Sequence, residues 1–429
     1  MSTPPSGSKP ATHTVHLSRT VVWFFGALLI LPWLVLLYLG NGMEKPAAPA
    51  KPPVQVHTDS ALYLKSKPGP WGELQFTRIV IEPPESLIAP NQFTPRPATW
   101  TFKGYTPEAM DALVPSLGFD DTQRRYFTDR GHWETVTDAI LLHPAPEFIL
   151  SLSADTRAKL YTLLAEYVEN PDQNDPFRFR ADAAEEWFQH CDLSPETIGF
   201  VKKLLYRRGT SLLFSDLNLV LPTLPTLQAR TRLIKTLARK STLLVKLRIR
   251  GNSDVEALDN YWGRGQRGKD IRPLLQSLAR DGGDGTTIDI IHLLPRLPRS
   301  LLYTYPLPTE PGSRTYLDCH WTVLNFFNAK PDDRFQNIDE VTKAFLNDYY
   351  PVTGALTFGD ILLFAKPNGA IIHSCVYLAD DIVYTKNGAS PNAPWILMSL
   401  SDVIAFYPSR EPLDIQYYRS KALGGSDNN

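Results

Sequence analysis

The stretch YLDCHWTVLNFF, residues 316–327, sets a cysteine between an acid and a histidine, directly ahead of an apolar run. Cys319 is one of only three cysteines, with Cys191 and Cys375, so no disulfide framework can be built. No CxxC or Cys/His spacing marks a zinc site, and neither a metal nor a cofactor is expected. What remains for Cys319 is a buried small side chain or a nucleophile. Nucleophilic chemistry needs a thiolate, a base to form it and a group to orient that base. The loop-like EPGSRT at 310–315 precedes Cys319 and an apolar-periodic segment follows, so the thiol is expected at a helix start, where unpaired N–H groups favour the thiolate.

A base is available downstream. His373 lies in AIIHSCVYLADD, which reads as a strand and then a tight turn at Asp380-Asp381. Alternate strand side chains share a face, so His373, Cys375 and Tyr377 point one way. Cys375 is a rival nucleophile, but residues i and i+2 of a strand sit roughly 6.5–7 Å apart, too far for a thiol–imidazole hydrogen bond. The returning chain brings a polar side chain from 384–387 beside His373. A two-residue turn would present Tyr384 and Lys386; a three-residue turn would present Thr385 and Asn387. Asn387 is the chemical choice, because an amide oxygen can hold the imidazole tautomer, with Thr385 and Lys386 as alternatives. His320 reads as a helix-surface residue and Cys191 as structural.

In this order the residues resemble the NlpC/P60 family, papain-like cysteine peptidases and amidases of bacterial cell walls. Asp318-Cys319 matches the D-C pair that starts the family's helix, and Gly359-Asp360 ahead of ILLF matches its Gly-Asp strand opening. His373 to Leu378 matches its histidine strand. The likeness covers roughly residues 300 to 410. Two positions depart from the pattern: His320 stands where the family usually has serine, and its third residue is commonly histidine. The resemblance implies an α+β papain-like domain at 301–415 that cleaves amide bonds in peptidoglycan peptides. Cys319 would attack the carbonyl, and His373 would take and return the proton. A papain-like scaffold without activity, or a thiol acyltransferase, is the alternative.

The rest of the chain must carry and place these residues. At 429 residues it has room for two domains and a sizeable core. With 44 basic and 45 acidic residues, no bulk field directs it to nucleic acid. Val21 to Leu39 is uncharged and almost wholly apolar, close to the roughly 20 residues that span a bilayer and longer than a cleaved signal's core. The expectation is a tail at 1–20, an anchor at 21–40, and the bulk of the chain outside a bacterial-type inner membrane. Lys9 and Arg19 before the span balance Lys45 and Lys51 after it, so the short leading tail decides the orientation.

Residues 41–104 are proline-rich and read as a linker, within which LQFTRIVIEP (74–83) could add one strand to a later domain. From 105 to 300 the pattern is helical, with starts at Thr106-Pro107, Ser153, Ser194-Pro195 and a capping box at Ser253 and Glu256. GRGQRG at 263–268 fits a dinucleotide fingerprint in letters only. A helical segment precedes it where a strand is required, so it reads as a turn. Residues 229–250 hold eight Lys/Arg and no acid, which suggests a solvated helix face or a contact to an anionic polymer or lipid headgroup. The run has no aromatic residue on which a nucleic-acid base could stack. After 300, two helices precede strands at LTFGDILLFAK, AIIHSCVYLADDIVYTKNG and WILMSLSDVIAFYP. Helices followed by an antiparallel meander make an α+β arrangement. Residues 416–429 are expected to form a flexible tail.

Overall fold

A computed structural model describes residues 63–88, 94, 96–281, 283, 285–311, 313, 315–407 and 412–426. The tail at 1–20, the anchor at Val21 to Leu39 and the first part of the linker lie outside them. Among the described residues no helix is long and apolar enough to cross a membrane.

The architecture is mixed α+β with four antiparallel sheets among the described residues. Strands are numbered in chain order. The largest sheet has the order β11-β16-β12-β13-β14-β15. Its members are β11 (Tyr349–Pro351), β12 (Ile361–Ala365), β13 (Ile371–Ala379), β14 (Ile382–Lys386), β15 (Trp395–Ser399) and β16 (Asp414–Ser420). The expected meander is its β12-β13-β14-β15 half. Alternation sorts the side chains onto two faces. Ile361, Leu363, Val376, Leu378 and Tyr384 join the main core with Trp321, Val323 and Leu324 of the helix Cys319–Leu324. Leu362, Phe364, Cys375 and Val383 form a second cluster with Val403 of the helix Leu400–Phe406.

Two expectations about this sheet are corrected. WILMSLSDVIAFYP is a strand only to Ser399; Ser399 then caps a helix by accepting a hydrogen bond from the Asp402 N–H. The segment at 416–429 is no flexible tail at its start, because β16 lies inside the sheet with β11 on one side and β12 on the other. Its Arg419 forms a two-pronged pair with the fully buried Asp360, at 2.8 Å on each arm. That pair ties β16 to the turn that opens β12. Gly359 sits at φ +93° in this turn, and a side chain there would meet the Phe327 ring at 2.4 Å.

The strand anticipated within the linker exists. β2 (Glu73–Ile81) pairs along its whole length with β9 (Lys240–Ile249), between β1 (Leu64–Lys65) and β10 (Thr286–Asp289). The structured part therefore begins well before 105. Thr242 Oγ1 donates to the Leu397 carbonyl at 2.9 Å and accepts from the Leu397 N–H at 3.1 Å, closing the outer edge of β15.

The region 105–300 is rich in helices, as expected, but also carries strands. Besides β9 and β10 it holds β4 (Trp133–Val136) and β5 (Ala139–Leu142), which pair with β3 (Trp100–Lys103). It also holds β6 (Phe177–Arg180), β7 (Tyr206–Arg208) and β8 (Ser211–Phe214). Strands of three or four residues are too short to show a period of two, whereas the helices around them are capped and periodic. Thr106, Ser153 and Ser194 cap helices as expected; the cap before Val255–Trp262 is Asp254 instead of Ser253. GRGQRG is the turn between that helix and Gly268–Asp281, with Gly265 at φ +75°. The basic run at 229–250 is split between a helix, Leu227–Leu237, and β9, so it is not one solvated face. Arg239 and Lys235 pair with Glu82, and Arg250 pairs with Glu73.

Candidate active site

Cys319 opens its helix as expected. Asp318 is the N-cap: its carboxylate accepts from the Trp321 N–H at 2.8 Å, and its carbonyl accepts from the Thr322 hydroxyl at 2.7 Å. The Trp395 indole donates to Thr322 Oγ1 at 3.0 Å, which fixes the helix start against β15. Trp321 is buried and its indole N–H donates to Asp333 at 3.3 Å, so its ring belongs to the core.

Two imidazoles, those of His320 and His373, act on the Cys319 thiol. Burial pushes the thiol up, but the hydrogen bonds and positive charge of the two rings outweigh it and bring the thiol down to about 5. His320 is not on the helix surface. It is 9% exposed, and its Nδ1 is 3.0 Å from the hydroxyl of Ser374, which is fully buried. Burial pulls the His320 imidazole down, yet the thiolate and Asp318 hold it above its ordinary value. One strand thus supplies His373 to one imidazole position and, at the next residue, the anchor of the other.

The polar side chain that meets His373 is that of Thr385. His373 Nε2 and Thr385 Oγ1 are 3.0 Å apart, and Thr385 donates its hydroxyl proton to Asn387 Oδ1 at 3.1 Å. With that proton committed, Thr385 accepts from His373 Nε2–H. This leaves Nδ1, buried and otherwise unpartnered, as the nitrogen available to the thiol. Asn387, the expected partner, stands one step further out, where its amide N–H reaches Met398 Sδ at 3.1 Å. Lys386 turns away: its Nζ donates to the Gly388 carbonyl at 2.7 Å and lies over the Trp395 ring. Burial pulls the Lys386 ammonium down to about 8.

The reason for the change of partner is a bulge. The turn is the two-residue Asp380-Asp381, which on its own would present Lys386. Between Tyr377 and Ala379 the register shifts by one, and the pairs beyond become Tyr377–Val383 and Val376–Tyr384. One inserted residue restores the parity that a three-residue turn would have given, so Thr385 and Asn387 face His373.

Two further groups went unread in the sequence. Ser374 carried no signal apart from its position after His373. Tyr407 was read as part of a strand; it follows the helix Leu400–Phe406, and its ring stacks on His373 at 4.4 Å and 22°. Its hydroxyl is buried without a partner, and burial together with the Cys319 charge pushes it well up. Cys375 is fully buried in the second cluster and its thiol is pushed well up by desolvation, in keeping with a packing role. Cys191 is buried in a separate aromatic-rich core.

The site is closed over the reacting atoms, with Cys319 4% exposed and His373 fully buried. Beside it opens a groove of about 1320 Å³ whose walls include Tyr316, Ile372, Asn387 and Tyr407. Chemically the arrangement pairs a stabilised thiolate with an oriented imidazole beside a groove. Among the described residues no group of His, Cys, Asp and Glu is placed to hold a metal ion. Compared with known proteins, the chain matches no protein-family model, no curated sequence and no solved structure.

Proposed function

We propose that the protein is a thiol hydrolase of the cysteine peptidase and amidase type, with a papain-like catalytic unit built on β12–β16 and the Cys319 helix. The observation that carries this reading is the Cys319–His373–Thr385 line, in which the imidazole is held by one nitrogen and offers the other to a low-lying thiol. The thiolate attacks an amide carbonyl while the Cys319 N–H receives the developing oxyanion. His373, protonated at Nδ1, delivers that proton to the leaving amine. It then takes one from water, which releases the acyl group from sulfur and restores the thiol pair. The substrate we assign is a cell-wall peptide, from the likeness of the Asp318-Cys319, Gly359-Asp360 and His373 motifs to the NlpC/P60 family. Attachment through Val21 to Leu39, with the bulk of the chain outside the inner membrane, belongs to the same reading.

Acyl transfer to an acceptor other than water is the second reading, favoured by the closure around Cys319 and His373, which restricts water at the thioester. A scaffold without activity accounts less well for a thiol set between two anchored imidazoles. The test is incubation of the full chain with purified peptidoglycan fragments and identification of the products by mass. Release of new peptides by the wild type and none by Cys319→Ala is expected. Equal release by both rejects Cys319 as the nucleophile, and products carrying an added amine acceptor in place of water select the transfer reading.

A further inference from the structure

The walls of the groove beside the site include the cations Arg178, Arg208 and Lys240. Arg178 comes from β6, Arg208 from β7 and Lys240 from the first position of β9, so all three lie outside the segment that resembles the hydrolase family. Each spends its hydrogen bonds on carbonyls. Arg178 donates to Phe406 and lies over that ring at 4.0 Å; Lys240 Nζ donates to the Arg178 carbonyl at 3.3 Å. Arg208 Nη2 donates to the Tyr161 carbonyl at 3.3 Å, and its Nε is buried with no partner. None of the three makes an ion pair among the described residues. Glu166 and Asp175 also line the groove, and Asp175 attracts Arg178 and Lys240 without contact. Burial, the main cause, brings Arg178 down to about 10 and Lys240 down to about 8. Partly buried cations held without a counter-ion are costly, and an anion entering the groove removes that cost.

Two residues of the groove wall touch the catalytic line. Tyr407 lines the groove, stacks on His373 and is influenced by the charges of both Cys319 and Arg178. Asn387 lines it and accepts from Thr385. The geometry points to an acyl donor that carries an oxyanion group, carboxylate or phosphate, seated against Arg178, Arg208 and Lys240 while its carbonyl carbon meets Cys319. This rests on Cys319 as nucleophile and adds to it the charge class of the substrate and the residues that select it.

Iodoacetate and iodoacetamide share size and leaving group and differ in charge, so their relative rates report the field in the groove. Both are reacted with the full-length protein, and the Cys319 peptide is quantified by mass. In the wild type, the iodoacetate-to-iodoacetamide ratio is expected to exceed that of N-acetylcysteine by roughly five- to tenfold at low salt and to fall with added salt. Lys240→Gln and Arg208→Gln should each lower the ratio several-fold. Glutarate and inorganic phosphate serve as competitors and glutaramide as the neutral control. Protection by either anion and not by glutaramide supports the site and identifies the oxyanion it takes. A wild-type ratio equal to that of N-acetylcysteine, with no protection by either anion, overturns the inference even in a protein whose folding is beyond question. Failure of iodoacetamide to label Cys319 at neutral pH defeats the nucleophile itself, a separate outcome.

Discussion

Replacing His320 by glutamine keeps a side chain that can bond Ser374 and removes the charge beside Cys319. The two imidazoles together carry the thiol from 9.0 to about 5, against a burial effect that acts the other way. That displacement corresponds to about 5 kcal/mol in favour of the thiolate. Losing the His320 ring removes one of the two partners while the burial effect stays, so the variant thiol should titrate well above the wild type. The sign is fixed by the direction of the shift. A lowered acid contributes its full stabilisation above its ordinary value and loses it as pH falls through the folded value, here about 5. The assay is alkylation of Cys319 by iodoacetamide from pH 4 to 9, read as the midpoint of the rate. The midpoint is preferred to the rate because a more basic thiolate attacks faster. Wild type should reach half its plateau near pH 5, and His320→Gln at a clearly higher pH. Coincident midpoints in the two proteins refute the assignment of His320 to the thiolate, and a wild-type midpoint at 8 or above refutes the low-lying thiol.

Thr385→Val removes the hydroxyl that accepts from His373 Nε2; peptide release should fall roughly ten- to a hundredfold, with partial recovery in Thr385→Ser and none in Asn387→Ala with Thr385 intact. A steady-state comparison of the three variants checks this, and full activity in Thr385→Val contradicts it. Asp360→Ala strands Arg419 and the Thr357 N–H and should cost about 3 kcal/mol, seen as a lower midpoint in thermal or urea unfolding. Gly359→Ala places a methyl group 2.4 Å from the Phe327 ring at φ +93° and should destabilise by at least about 2 kcal/mol in the same assay.

The helix starts and the order of the chemical groups were legible in the sequence because each is a local signal. Asp318 next to Cys319 is a cap beside a thiol, and Thr106, Ser153 and Ser194 announce helices at a distance of three residues. What stayed hidden depends on long-range pairing or on a single inserted residue. No local pattern in AIIHSCVYLADDIVYTK marks the bulge near Leu378, yet that bulge decides between Lys386 and Thr385. The strands at 133–142, 177–180 and 206–214 are too short for alternation to show against their helical neighbours. DIQYYRS at 414–420 lies beyond the motifs, and only its bond to Asp360 explains why an acid follows Gly359. The closure by Tyr407 likewise arises from packing, since a tyrosine before a proline reads as a strand end.

The position of β16 also sets an order in time. β12 ends at Ala365 and β16 begins at Asp414, so on the ribosome the nucleophile, the base and Thr385 are all made before the strand that completes the sheet between β11 and β12. Until residues 414–420 emerge, β12 lacks its neighbour on one edge and Asp360 lacks its cation. A nascent chain that already holds Cys319, His373 and Thr385 is therefore still unassembled, and the exposed β12 edge makes that interval its most vulnerable to mispairing.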